Sequence, residues 1–299
     1  MLDPNWFKVI IMRCTSGVHQ GTASVTLDRW QGTWNFLPNE FVESAIFASS
    51  GLQIKHLILK HHCLSRLPAN FAAPETGLCF SLTTLDLSHN KFSSLPSVVC
   101  QLVELKELFL NNNEISQLQE QLSKLTKLES MHLQVNRLQA LPVCVCSLTS
   151  LKYLSAEDNM IEVIPSEVCQ LRELRELFLK SNKIEHLPPT FTDLPKLEEL
   201  HLSNNRLQEI HLKGLTSLRQ LHLANNCLRF LPPSLVELNL QGLTVSHNPL
   251  KFPPLSVCRE GLEGVKAYML EKYHHYGSVW ENPYYNSDGD DTDYESIAQ

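Results

Sequence analysis

Residues 82–96 read Leu82-Thr83-Thr84-Leu85-Asp86-Leu87-Ser88-His89-Asn90-Lys91-Phe92-Ser93-Ser94-Leu95-Pro96. The apolar skeleton is LxxLxLxxN, followed by an apolar residue and then Leu-Pro. It returns as Leu105-Leu108-Leu110-Asn113-Ile115-Leu118, Leu128-Met131-Leu133-Asn136-Leu138-Leu141-Pro142 and Leu151-Leu154-Ala156-Asn159-Ile161-Ile164-Pro165. Three further copies are Leu174-Leu177-Leu179-Asn182-Ile184-Leu187-Pro188, Leu197-Leu200-Leu202-Asn205-Leu207-Ile210 and Leu218-Leu221-Leu223-Asn226-Leu228-Leu231-Pro232. A degenerate first copy starts at Ile54 with His62 in the asparagine slot, and a weak last one runs Leu240-Leu243-Val245-Asn248-Leu250. The asparagines are 23 residues apart from Asn90 to Asn205, then 21 to Asn226 and 22 to Asn248. A fixed period in this range signals a stacked repeat.

The physics of the pattern gives a fold class. Period-2 alternation in LxL turns the leucines inward and the intervening residue outward on a short strand. One coil cannot bury its own leucines, so coils must stack. Each asparagine sits at a sharp turn, where its amide satisfies backbone groups that would be costly to leave unpaired. The reading is an α/β solenoid: a leucine-rich repeat horseshoe of about nine coils, a concave parallel sheet and a structural ladder of Asn90, Asn113, Asn136, Asn159, Asn182, Asn205, Asn226 and Asn248. Residues 1–51 are expected to form an N-terminal segment and cap. There Val25-Thr26-Leu27 reads as a strand, 34–41 as a worn half-repeat, and Trp6, Trp30 and Trp34 as cover for the first coil. Repeats occupy 52–257, a capping helix 258–280, and an acidic tail 281–299. The stretch Ala72–Gly77, which lengthens the first coil, reads as a surface insertion.

Composition sets further bounds. Of 52 leucines, 48 lie between Leu52 and Leu262. Net charge is −7, yet the last 19 residues hold six acids and no base, which leaves −1 for residues 1–280. A nearly neutral solenoid gives no electrostatic case for nucleic acid or an anionic membrane. No apolar run reaches the length of a membrane span, and the N-terminus does not read as a secretory signal. Nine cysteines are an odd number, and Cys100, Cys146, Cys169 and Cys258 each lie ten residues after a ladder asparagine. They serve as small buried apolar residues in the repeat, which points to a reducing compartment: cytoplasm, with the nucleus as the alternative.

The 23-residue period, the Leu-Pro after the turn and the ending NPLxxPPxxVCxxGLxxVxxYM resemble intracellular leucine-rich repeat proteins of the Ras-suppressor type and the scribble and erbin amino-terminal domains. The resemblance covers about residues 52–273. It implies a binding scaffold in signalling or cell-polarity complexes.

Outward strand positions define the surface such a scaffold would use. Phe109, His132, Tyr153, Phe178, His201 and His222 are expected to line one contiguous aromatic and histidine column for a protein partner. Stacked histidines carry the expectation of pH-sensitive binding between about pH 6 and 8. His201/His222 and His61/His89 occupy equivalent positions in neighbouring coils. Adjacent strands lie about 4.8 Å apart, but no carboxylate or cysteine completes a ligand set for either pair, so no metal is expected. No catalytic motif is present, no cofactor is implied, and a solenoid surface is too open for pocket chemistry. The expected function is a monomeric, non-catalytic scaffold or adaptor; the alternative is the substrate-recognition subunit of a larger complex such as a ubiquitin ligase. Tyr284, Tyr285 and Tyr294, with Thr292 and Ser296, lie among acids and are candidate phosphorylation sites in the tail.

Overall fold

Every repeat places its first LxL leucine within a short strand, and the strands stack in chain order. The computed structural model describes residues 22–26, 37 and 53–276. Its strands are β1 (Thr22–Thr26), β2 (Gln53–Ile58), β3 (Thr84–Asp86), β4 (Glu107–Phe109), β5 (Ser130–His132), β6 (Tyr153–Ser155), β7 (Glu176–Phe178), β8 (Glu199–His201), β9 (Gln220–His222) and β10 (Gly242–Thr244). They form one ten-stranded sheet in sequential order, and each neighbouring pair is parallel. The chain thus has the leucine-rich repeat horseshoe architecture, with the sheet as its concave wall.

Register explains the core. Leu85, Leu108, Met131, Leu154, Leu177, Leu200 and Leu221 are successive in-register partners. All seven are fully buried. Burying one such side chain contributes about 1.5–3 kcal/mol, so the coils hold one another through one continuous apolar spine.

The ladder asparagines stitch coil to coil in one repeated geometry. Asn136 Nδ2 donates to the Leu110 carbonyl of the preceding coil at 3.0 Å and to its own Leu133 carbonyl at 2.9 Å. Its Oδ1 accepts the Ile115 N–H of the preceding coil at 2.9 Å. The residue before each ladder asparagine is left-handed, for example His89, Asn112, Asp158, Asn204 and Asn225. His, Asn and Asp tolerate that conformation; Val135, at φ 56°, is a β-branched exception.

On the convex side, the prolines that follow Leu or Ile in the repeat, Pro96, Pro165, Pro188 and Pro232, sit in extended backbone just before 3₁₀ turns such as Ser97–Gln101 and Ser166–Gln170. The helices are α1 (Leu78–Ser81), α2 (Val143–Cys146), α3 (Leu255–Cys258) and α4 (Gly261–Tyr276). In the shortened coil between Asn205 and Asn226 the chain turns at Gly214, φ 105°; a Cβ there would lie 2.8 Å from the Thr192 carbonyl oxygen.

Three parts of the sequence reading change in detail. The strand anticipated at 25–27 is β1, Thr22–Thr26, which extends the sheet beyond the first coil. Leu37 is buried, while Trp6, Trp30, Trp34 and the rest of the anticipated half-repeat lie outside the described residues. The insertion after the first coil is not purely superficial: Ala72 and Thr76 are buried, next to a fully buried Phe71, and Thr76 Oγ1 donates to the Ala73 carbonyl at 2.7 Å. The C-terminal cap is split. α3 ends at Cys258, and α4 starts at left-handed Gly261. α4 then covers the last coil with buried Val265 and Met269, and Lys266 Nζ donates to the Leu238 carbonyl at 2.6 Å.

Candidate functional site

The concave surface is built from residues that flank the inward leucine of each strand. Pleating sends them away from the core, and parallel register lines them up across coils. The central line runs Asp86, Phe109, His132, Ser155, Phe178, His201, His222, Thr244 in direct register. A parallel line, one pleat earlier, runs Thr84, Glu107, Ser130, Tyr153, Glu176, Glu199, Gln220.

All six rings anticipated as a column meet. Centroid separations are 4.3 Å for Phe109–His132, 4.7 Å for His132–Tyr153, 5.3 Å for Tyr153–Phe178, 4.6 Å for Phe178–His201 and 4.0 Å for His201–His222. These are aromatic contact distances. The column is not one register line, however. Ser155 is the β6 member of the central line and is fully buried. Tyr153, from the neighbouring line, spans the gap above this small side chain and joins His132 to Phe178. Each ring is half-buried by its neighbours, so one edge stays open to a partner.

The polar groups along the column are held in place. His132 Nε2 lies 3.1 Å from Ser130 Oγ, and Gln134 Nε2 lies 3.4 Å from His132 Nδ1. A neutral ring protonated on Nε2 satisfies both contacts. Burial lowers the His132 pKa, while Glu107 and Asp86 oppose that shift. Burial also lowers the pKa of His222, and His201 adds to the effect. His222 Nδ1 lies 3.2 Å from Thr244 Oγ1.

Around His201 the surface turns acidic. Glu199 Oε1 lies 2.7 Å from His201 Nε2. Glu176 is the in-register neighbour of Glu199, and burial together with the Glu199 and Glu198 carboxylates raises its pKa. Burial raises Glu157 as well, opposed by His201 and Lys180. One ligand atom each from Glu199, His201 and His222 lie within 4.8 Å of one another. Glu199 stands beside this histidine pair because residues i and i+2 of a strand share a face, a placement readable at residue 199.

Among the described residues the thiols form no pairs: Cys63, Cys79, Cys100, Cys144, Cys146, Cys169, Cys227 and Cys258 are all free. Burial pushes Cys100 up to about 11 and Cys146 up to about 12, so both remain protonated packing residues near neutral pH. Tyr284, Tyr285 and Tyr294 lie outside the described residues.

Comparison with known proteins agrees with this architecture. A family model described as a leucine-rich repeat region matches residues 139–245, and one described as leucine rich repeat matches 80–138. The chain is a leucine-rich repeat protein. No curated protein sequence matches it. It is similar to the plant peptide hormone receptor RGFR1 solved in complex with RGF2, at 27% identity and a TM-score of 0.59, over 71% of this chain and 34% of that one. It is also similar to the leucine-rich repeat ectodomain of the receptor kinase GASSHO1/SCHENGEN3 from Arabidopsis thaliana, solved with CASPARIAN STRIP INTEGRITY FACTOR 2. That match has 30% identity, a TM-score of 0.51, and covers 71% of this chain and 28% of that one. Internalin C2 from Listeria monocytogenes shares the fold at 24% identity and a TM-score of 0.52, over 66% of this chain and 78% of that one. The chain therefore spans about a third or less of the length of the two plant receptor chains. Among the described residues, no helix is long and apolar enough to cross a membrane.

Proposed function

We propose that the chain is a non-catalytic scaffold or adaptor that binds a protein partner across its concave sheet, in intracellular signalling of the Ras-suppressor and scribble-erbin style. The observation that carries this reading is the unbroken stack of six rings from Phe109 to His222. Aromatic side chains held rigid by their neighbours present large contact area at little entropic cost, which is how interface anchors work. Two similar plant receptor structures are each in complex with a partner, a precedent for a leucine-rich repeat chain that binds one. The free thiols among the described residues support a reducing compartment, the cytoplasm first and the nucleus second. The scaffold acts as a monomer with a protein partner and without nucleic acid, and the tail tyrosines Tyr284, Tyr285 and Tyr294 are its candidate phosphorylation sites.

Affinity purification with the wild type and a Phe109→Ala/Phe178→Ala variant tests the proposal. Each truncation at an anchor costs about 2 kcal/mol or more, roughly thirtyfold in affinity, so direct partners should drop out of the double variant. Recovery of the same partners by both proteins would refute concave-face binding. Recovery of ligase subunits dependent on the column would instead establish the substrate-recognition role in a ubiquitin ligase.

A further inference from the structure

At its C-terminal end the ring column changes character. Phe109, Tyr153 and Phe178 are hydrocarbon faces, but His201 and His222 stand side by side on β8 and β9 as in-register partners, rings 4.0 Å apart and inclined by 45°. Glu199 lies two residues before His201 on the same face, its carboxylate 2.7 Å from Nε2. The three ligand atoms fall within a 4.8 Å span. A first-row divalent ion bonds imidazole nitrogen and carboxylate oxygen at about 2.0–2.2 Å, so its donors must converge to about 3–4 Å of one another, within reach of small rotamer adjustments here. Thr244 Oγ1 contacts His222 Nδ1 at 3.2 Å. That contact orients the ring and leaves Nε2 as the free donor, the arrangement in which an outer partner fixes a metal-binding histidine. Glu176, beside Glu199, and Glu157 on β6's outgoing edge add negative charge around the pair.

We propose that Glu199, His201 and His222 form a binding site for a first-row divalent transition-metal ion on the concave face, with Zn²⁺ as the ion to test. Two imidazoles and one carboxylate are a donor set that suits Zn²⁺. Because the three donors come from one open face, the remaining coordination positions point away from the sheet, available to water or to a side chain of a docked partner. The other stacked histidine pair, His61 and His89, at 4.1 Å, is an internal comparison: it falls in no such three-ligand group among the described residues.

The test is titration calorimetry of the isolated full chain with ZnCl₂ at neutral pH, without any partner, so its result is independent of partner docking. The wild type should bind one equivalent tightly. His222→Ala and His201→Ala should each weaken that equivalent about tenfold or more, at least the cost of losing an outer partner of a ligand. Glu199→Gln should also weaken it, and His89→Asn should leave it unchanged. Circular dichroism establishes that each variant is folded. The free thiols are the rival ligands, so the titration is repeated with Co²⁺, whose spectrum shows a thiolate charge-transfer band only when cysteine binds. Absence of binding, binding indifferent to His222→Ala, or a thiolate band on the tight equivalent would each overturn the assignment.

Discussion

Asn159→Ala isolates the contribution of one rung of the asparagine ladder, and the hydrogen-bond accounting sets its size. Asn159 Oδ1 accepts the Leu138 N–H at 3.0 Å, and Nδ2 donates to the carbonyls of Leu133 at 3.0 Å, Ala156 at 3.2 Å and Glu157 at 3.1 Å. The three carbonyls have second donors. Leu133 keeps Asn136 Nδ2 at 2.9 Å, Ala156 keeps Asn182 Nδ2 at 2.9 Å, and Glu157 keeps the Val135 N–H at 3.0 Å. The Leu138 N–H has no such substitute inside the stack. One buried orphaned donor costs about 1–3 kcal/mol, and the weakened carbonyls add about 1 more, so the variant should lose about 2–4 kcal/mol. Urea unfolding followed by circular dichroism reads this as a lower midpoint at unchanged m-value, and the Leu138 amide should lose hydrogen-exchange protection. Asn159→Asp should be at least as damaging at neutral pH. It keeps the acceptor but turns a carboxylate oxygen toward the three carbonyls. A loss under about 0.5 kcal/mol for the alanine variant would refute the reasoning, because the rung would then be replaceable by water.

Two other predictions test the local physics. Val135→Asn should stabilise the protein by about 1 kcal/mol, since a β-branched residue at φ 56° carries the left-handed penalty that Asn avoids; a lower urea midpoint would count against strain at this turn. His132 is depressed by burial, so the unfolded chain takes up its proton first as pH falls below the ordinary imidazole value of about 6.5. Its neutral form is favoured in the fold; stability is therefore complete above that value and declines as pH drops through the window beneath it. Glu107 and Asp86 moderate the decline, and the flanking Phe109 and Tyr153 rings cannot. His132→Phe should remove this component, and stability profiles that run parallel for variant and wild type from about pH 7 to 5 would exclude it.

The periodic part of the molecule was legible because its constraint is one-dimensional. Leu85, Leu108 and Leu177 are inward for the same reason at the same phase, and Asn113 or Asn182 needs no partner beyond its own and the preceding coil. The reading blurred where the period stops. At β1 nothing in the repeat announces Thr22–Thr26, whose pairing with β2 includes a register shift between Ala23 and Ser24. At the other end, Leu262, Val265 and Met269 mark helical spacing, but only the left-handed turn at Gly261 divides α3 from α4. In the site, the phase identified the six rings, yet not that Tyr153 spans the place of Ser155. That depends on the volume left above a small side chain, which periodicity does not encode.

Charge shows the same division between sum and placement. A near-neutral solenoid implies weak electrostatic steering if its charges are mixed, but the sheet sorts them. Along one flank, Lys127 reaches Glu104 at 2.7 Å, Lys152 reaches Glu129 at 2.6 Å, Lys196 reaches Glu173 at 2.7 Å, and Arg175 pairs with Glu198. These exposed pairs run between neighbouring coils and contribute little each. The outward positions of β3 to β9 and the residue two places after each central-line position hold five acids, Asp86, Glu107, Glu157, Glu176 and Glu199, against one base, Lys180. Burial and mutual repulsion raise Glu176, so its neighbourhood favours an arriving positive charge or a strong hydrogen-bond donor. A protein partner seated on the ring column must therefore present apolar or aromatic groups to Phe109, Tyr153 and Phe178 and cationic or donor groups toward Glu176 and Glu199. A metal ion at His201 and His222 would meet the same demand by neutralising that end of the column first. Total charge carries none of this, because it is the phase of each residue within the 23-residue repeat that decides which charges a partner meets.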